Sequence, residues 1–357
     1  MYPFYLGIDL HLKRSYMALM KANGDPIDRR RLRNKEVAAY LQEKVPKKTY
    51  AVLEATRNWA WMYDLLSEHV ERVELAHPKK VKLIAEATLK SDKIDATTLA
   101  HLARLNFLPT AHAAPPAVRD LRTLMRHRSW LVWQRTQAKN RIHGVLAGYN
   151  LVSPVGDLFG KLGRQFVVEA QQQVRPAARR VIQDQMKLVD HLNEQVQALE
   201  EQIDQVITLA PRQAEDFRLL DSLPGVGRVT ALMMLAEIGD IRRFNSPKAL
   251  CNWAGLTPTV KQSDLIVRHG RISKQGSAHL RGAMTRAASV AARTSPRWYR
   301  VHEKLVKRCG RTGAKVAVAR RLLTVAFHLL KKREPYREDY ISNAQKNAGE
   351  PAALHGS

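Results

Sequence analysis

The chain has 357 residues and a formal net charge of +26, from 59 Lys and Arg against 33 Asp and Glu. Two or three domains are expected at that length, and so large a positive excess calls for a polyanion, nucleic acid being the default partner. Cys251 and Cys309 exclude a disulfide framework or Cys/His zinc site and suit a reducing cytoplasm; no secretory leader or spanning apolar run is expected.

Residues 4–10 and 15–21 alternate as strands, and Asn23-Gly24-Asp25 is a hairpin signal. A third strand runs through Ile27 to the basic Arg29–Arg33, and a helix over Val37–Lys44 follows. The apolar run Tyr50–Leu53 reads as a strand ending in Glu54, with a helix at Trp59–His69 and a strand at Arg72–Ala76 after it. Ile94, Leu99, Leu102 and Leu105 then recur at helical spacing behind Asp92 and Asp95, whose three-residue separation places both carboxylates on one helix face. Like charges so placed call for a cation. Asp9 at the end of the first strand and Glu54 at the end of the fourth supply two more acids, and hairpin strands followed by alternating strands and helices make a mixed sheet on which the four meet. Hard oxygen ligands of this kind suit Mg²⁺, and a two-metal phosphodiester site needs several of them. Taken singly, each acid is as well explained as a helix cap or a solvated strand end.

Pro109 to Pro116 reads as a linker. A long basic helix is expected over Ala117–Tyr149, carrying Arg119, Arg122, Arg126, Arg128, Arg135, Lys139 and Arg141 with Trp130 and Trp133 between them. It reads as a phosphate-tracking surface, or as a solvated basic face with its tryptophans in a core. After a Gly/Pro-marked break comes a second long helix, Pro176–Leu209, with Val181, Met186, Val189, Leu192, Val196, Leu199, Ile203 and Val206 stepping mostly by three or four. That is a coiled-coil pattern, and oligomerisation is expected to cover its apolar stripe.

Leu223-Pro224-Gly225-Val226-Gly227 resembles a helix-hairpin-helix turn, in which Gly225 and Gly227 let backbone N–H groups approach a phosphate at a helix N-terminus. A basic segment with Arg268, Arg271 and Lys274 precedes a helix capped by Ser277, and another helix runs over Lys315–Lys331. Ser263, Ser273 and Ser277 all stand among cations, as a nucleophile for phosphate would. Residue chemistry alone does not choose between them. The tail from about Arg337 is polar.

Seven short motifs in order carry a resemblance along nearly the whole chain. They are Gly7-Ile8-Asp9, Glu54-Ala55-Thr56, Lys90-Ser91-Asp92-Lys93-Ile94-Asp95-Ala96, the Leu223–Gly227 turn, Ala254-Gly255-Leu256-Thr257-Pro258, Gln262-Ser263, and Ile272–Gly276 through Leu280-Arg281. The chain resembles DEDD-type transposases of the insertion sequence 110/1111 group, also described as bridge-RNA-guided recombinases. The resemblance implies an α/β RuvC-like (RNase H-like) domain at 1–112 with Asp9, Glu54, Asp92 and Asp95 as metal ligands. It also implies a basic and coiled-coil spacer at 113–210, a mainly helical transposase domain at 211–336 with a helix-hairpin-helix and the catalytic serine, and a tail at 337–357. By its place after the Thr-Pro element that serine maps to Ser263, with Ser273 as the alternative. Two departures stand out: Arg57 where the family has glycine after Glu-Ala-Thr, and Asp264 after the serine.

The implied reaction is attack of Ser263 on donor and target DNA, aided by Mg²⁺ on the four acids. A structured noncoding guide RNA chooses sequence, and a dimer or tetramer works in the bacterial cytoplasm at the nucleoid. Arg122, Arg126, Arg128, Arg268 and Arg271 are then expected on nucleic-acid backbones. The competing expectations are a RuvC-like Holliday-junction resolvase that hydrolyses DNA without a covalent serine, and a noncatalytic architectural binder.

Overall fold

A computed structural model describes residues 1–84, 92–208, 211–263 and 266–338, with the side chains at 92–94, 208, 211, 260–263 and 266–269 outside that description. Contacts divide the chain into two compact units, Met1–Ala114 and Pro115–Ser357. Among the described residues no helix is long and apolar enough to cross a membrane.

In the first unit, β1 (Phe4–Leu10), β2 (Arg14–Lys21) and β3 (Pro26–Arg33) form an antiparallel meander. The β2–β3 turn closes with the Asp25 N–H donating to the Asn23 side chain at 3.1 Å. Helix α1 (Val37–Lys44) leads to β4 (Thr49–Glu54), which pairs parallel with β1. Helix α2 (Trp59–His69) crosses over to β5 (Arg72–Ala76), parallel to β4, and α3 (Pro78–Ile84) and α4 (Asp92–Arg104) follow. The two-residue β6 (Thr110–Ala111) completes a six-stranded sheet of order β3-β2-β1-β4-β5-β6. It lies where a linker is expected, since two residues are too few to show a period.

Strand alternation divides the core by face. Leu6, Ile8, Ala51 and Leu53 join Leu41, Met62 and Leu66 from α1 and α2. Tyr5, Tyr50 and Val52 join Leu99, Ala100, Leu102 and Ala103 from α4 on the other side. Helix α4 thus buries a face rich in alanine, and Leu105, expected in the apolar stripe, is exposed.

The second unit opens with α5 (Pro116–Ala147) and, after α6 (Lys161–Ala170), α7 (Pro176–Thr208). Arg128 bonds Glu200 and Arg135 bonds Asn193, so the two long helices run antiparallel. Ile142, Leu146, Leu158, Val167 and Ile182 close their far end with α6, which lies in the expected Gly/Pro break. The α7 stripe is therefore covered within the chain, which removes the reason for expecting it to be an oligomer seam. Ile182 and Ile207 are buried where Val181 and Val206 are expected to be, because α5 sets the angle of the buried face.

Helix α8 (Pro211–Asp221) turns into α9 (Arg228–Ile238), whose residues Ala231–Ile238 are all buried. An apolar helix covered all round is a core element. Helix α10 (Pro247–Trp253) precedes a hairpin of β7 (Pro258–Ser263) and β8 (Ile266–Ile272). Then α11 (Ala278–Thr294) packs on α9, and α12 (Pro296–Lys332) packs on α11 and α10. Ser277 caps α11 by accepting from the Leu280 N–H at 3.0 Å. Helix α12 contains the expected Lys315–Lys331 segment but begins earlier, with a break at Cys309 and Gly310.

Candidate active site and nucleic-acid interface

Period two places Tyr5, Gly7 and Asp9 on one face of β1, and Tyr50, Val52 and Glu54 on the same face of β4. Tyr5, Tyr50 and Val52 pack with α4, so Asp9 and Glu54 face the α4 side at the carboxyl ends of their strands. The register pairs Ile8 with Leu53, which makes Asp9 and Glu54 the next pair, on strands about 4.8 Å apart. Helix α4 runs antiparallel to β1. Ala96 lies against Gly7, while Arg104 reaches the Ala22 carbonyl at the opposite end of the sheet. Asp95, one residue before Ala96, is therefore brought to the end that carries Asp9 and Glu54, and it is exposed. Asp92 begins the same helix; its side chain lies outside the described residues.

The loops behind these acids are tied together. His11 Nε2 lies 3.1 Å from Asp9 Oδ2. The Asn34 amide donates to the carbonyls of His11 and Leu12 at 3.0 and 3.1 Å, and the Asn58 amide donates to His11 at 3.3 Å. Asn58 follows Arg57 in the segment after Glu54, so it fastens the Glu54 loop to the Asp9 loop. Sequence reasoning passed over Asn34 and Asn58. Their only signal is an amide in each of two short loops, and their shared acceptor is set by the sheet.

The carboxylate donors suit a hard divalent cation. Among the described residues, no three His, Cys, Asp or Glu side chains converge closely enough to hold an ion. Asp9, Glu54 and Asp95 are thus brought to one end of the sheet, on the side toward α4.

In the second unit several expected phosphate contacts are spent internally. Arg126 donates to both carboxylate oxygens of Glu237 at 2.7 and 3.0 Å, and Glu237 is 1% exposed. Arg122 donates to the Ala236 and Glu237 carbonyls at 3.0 and 3.3 Å, satisfying the carboxyl end of α9. Arg128 bonds Glu200 at 2.6 Å. These three arginines, expected on nucleic acid, bracket α5 onto α9 and α7, and the Arg126 side chain stays 45% exposed.

The two glycines of the Gly225–Gly227 turn differ: at Gly227 an added Cβ would meet nothing within 4 Å, while Gly225 is closely packed. Gly225 has φ +78°, and a Cβ there would meet α11, with the Ala291 N at 2.6 Å. Its close approach is to the backbone of α11. Arg228, the first residue of α9, pairs with Asp204 and Glu200, so carboxylates already occupy the neighbourhood of that helix N-terminus. Arg271 on β8 and Lys274 just beyond it are exposed; Arg268 lies on β8 opposite Lys261, its side chain outside the described residues.

The three serines separate. Ser277 is buried, caps α11 and hydrogen-bonds Glu237, so its hydroxyl is committed. Ser273 Oγ accepts from the Gln275 N–H at 3.4 Å in a local turn. Ser263 ends β7 opposite Ile266, and its side chain lies outside the described residues.

Two family models match this chain: a DEDD transposase of IS110 elements over residues 6–151, and the "Transposase IS116/IS110/IS902 family" over 217–303. Together they take in more than half of it. The chain belongs to the IS110-type DEDD transposase family. The transposase for insertion sequence element IS1111A of Coxiella burnetii is 28% identical over 273 residues, covering 74% of this chain and 72% of that protein. A probable family 20 transposase of Pseudomonas aeruginosa is 24% identical over 93% of this chain and 98% of its own length. A pilin gene-inverting protein of Moraxella bovis is 29% identical over 154 residues, 42% of this chain and 47% of that protein. This IS110-type transposase is accordingly a DNA-cleaving and strand-transferring enzyme, of a family that uses divalent metal. Its first match contains Asp9, Glu54, Asp92 and Asp95, and its second contains Ser263.

Proposed function

We propose that this transposase excises and inserts a mobile element by serine attack on DNA, assisted by Mg²⁺ held on Asp9, Glu54, Asp92 and Asp95. The observation that carries the metal half is the parallel register that puts Asp9 beside Glu54 on the face toward α4. Mg²⁺, when bound, supplies positive charge at a phosphate oxygen and so favours the pentacovalent transition state. His11, against Asp9, and Asn58, across the two loops, keep the acids oriented.

Ser263 Oγ gives up its proton and bonds to phosphorus. The P–O3′ bond breaks with its electron pair on the oxygen, which takes up a proton as a 3′ hydroxyl. In the second half a 3′ hydroxyl from the other duplex attacks the phosphoserine, restoring the diester and releasing the serine. Arg268, Arg271 and Lys274, on and just beyond the hairpin whose first strand ends at Ser263, hold DNA backbone. A structured noncoding RNA encoded by the element pairs with donor and target DNA and supplies sequence choice, which leaves the protein to bind backbones. The working form is a homo-oligomer, dimer or tetramer, at the nucleoid in the bacterial cytoplasm.

The test is denaturing electrophoresis of purified protein with end-labelled donor and target DNA, Mg²⁺ and the candidate RNA, beside Ser263→Ala and Ser273→Ala. A covalent protein–DNA band lost only in Ser263→Ala is the expected result. Cleavage without such a band in any lane would replace this mechanism with hydrolysis of the resolvase type.

A further inference from the structure

We infer that the cleft between α5 and α7 is a binding site for an unpaired nucleobase of single-stranded nucleic acid. The cleft has a volume of about 600 Å³ and is lined by Trp130, Gln134, Gln137 and Arg141 along one line of α5, with Asn140 beside them. Gln185, Leu188 and Leu192 line it from α7. Trp130 is 50% exposed, and its ring is stacked on His127 with centroids 5.7 Å apart and planes 15° apart. One ring face is thus supported while half of the side chain stays in solvent.

The other lining groups are uncommitted. Neighbouring cations on α5 are engaged: Arg126 and Arg128 on carboxylates, Arg135 on Asn193, and Lys139 over the Phe159 ring at 4.4 Å. Arg141, Gln134, Gln137, Asn140 and Gln185 make no side-chain hydrogen bond or ion pair with other described residues. Each amide offers both a donor and an acceptor, which is what the edge of a base requires. No carboxylate lines the cleft; the nearby Asp184 is paired with Arg180 at 2.8 Å.

An exposed indole, several uncommitted amides and one free guanidinium match a base, its edge and its phosphate. Bases in duplex DNA are stacked and cannot enter, so the ligand is a single strand. A protein partner would want contiguous apolar area, and here only Trp130 and Leu188 expose it within the lining. The site requires nucleic-acid binding alone, so it stands or falls separately from the serine mechanism.

The experiment measures binding of the full chain to fluorescent single-stranded RNA, single-stranded DNA of the same sequence, and duplex DNA across a salt series. Trp130→Ala should weaken single-strand binding by about tenfold with the salt dependence and duplex affinity unchanged. Trp130→Phe should restore most of that loss, and Arg141→Ala should lower the salt slope by roughly 0.7. Whichever single strand responds more strongly to Trp130→Ala identifies the source of the base. Unchanged single-strand affinity in Trp130→Ala, or equal loss on duplex, would overturn the site. So would a change in sedimentation without a change in affinity, which would reassign the cleft to self-association.

Discussion

Gly7 of β1 lies directly beneath the Ala96 carbonyl of α4, so close that a Cβ at Gly7 would also stand 2.8 Å from the Ala100 N–H nitrogen. The helix that carries Asp95 can settle on the strand that carries Asp9 only because residue 7 has no side chain. Both contacting atoms are backbone, so neither can swing aside. Gly7→Ala should therefore destabilise the first unit by about 1–3 kcal/mol, the cost of overpacking a filled core. Urea unfolding would measure it. Strand transfer should fall by more than the loss of folded protein, because the acids are displaced from one another. Unaltered stability would show that α4 does not rest on Gly7.

The acids themselves should be separable from folding. Asp9→Asn and Asp95→Asn should each abolish strand transfer while leaving DNA binding largely intact, as read by gel shift and product analysis on the same preparations. Parallel loss of both activities would mean that the carboxylates hold the fold.

Asn58 ties the loop after Glu54 to the loop after Asp9 through one hydrogen bond to the His11 carbonyl. Asn58→Ala removes that exposed bond and the one Asn58 Oδ1 accepts from Thr56 Oγ1 at 3.3 Å, both long, so the stability cost should stay at about 0.5–1.5 kcal/mol. Activity should drop further than that cost accounts for, and raising the Mg²⁺ concentration should recover part of it. Wild-type activity in the variant would leave Asn58 as loop packing only.

Glu237 provides a pH test in the second unit. Burial pushes its carboxyl pKa up, but the Arg126 hydrogen bonds and charge, with Ser277 and Arg122, outweigh burial and hold it below the ordinary value. A carboxyl lowered in the folded state contributes stability above its unfolded pKa, near 4.3, and that stability is lost as pH falls through the folded value. Glu237→Gln should cost about 2 kcal/mol at neutral pH, a figure discounted because the Arg126 side chain is 45% exposed. As the pH falls below the lowered folded value, the variant and the wild type should converge. Denaturant unfolding at neutral pH and below that value would decide it, and an equal gap at both would remove the ion pair as the cause.

The arginines divide into internal and outward groups, and salt dependence can tell them apart. Arg271→Ala with Lys274→Ala should lower the slope of log affinity against log salt by about 2, one phosphate contact each. Arg126→Ala should leave the slope near wild type and cost stability instead. The reverse pattern would return Arg126 to the nucleic-acid surface.

Most of the first unit was legible in the sequence. Its strands and helices follow period two and period 3.6 closely, so β1, α1, β4, α2 and β5 fall where the pattern places them. Asp9 and Glu54 stand out because each is an acid ending an apolar strand. The strand β6, helices α6 and α10, and the β7–β8 hairpin escaped, being short or rich in glycine and charge.

Taken by itself, the sequence determined the periodicities, the surplus of positive charge and the motif order that marks an IS110-type transposase. Which cations face outward was decided only in three dimensions. Arg126 and Glu237 are 111 residues apart, and Arg128 and Glu200 are 72 apart, so no local window contains both members of either pair. The α7 stripe shows the same limit. A helical period tells that one face must be buried, but not whether another copy or α5 of the same chain will bury it, because the hydrophobic effect has no preferred partner and only the folded path of the chain brings one within reach.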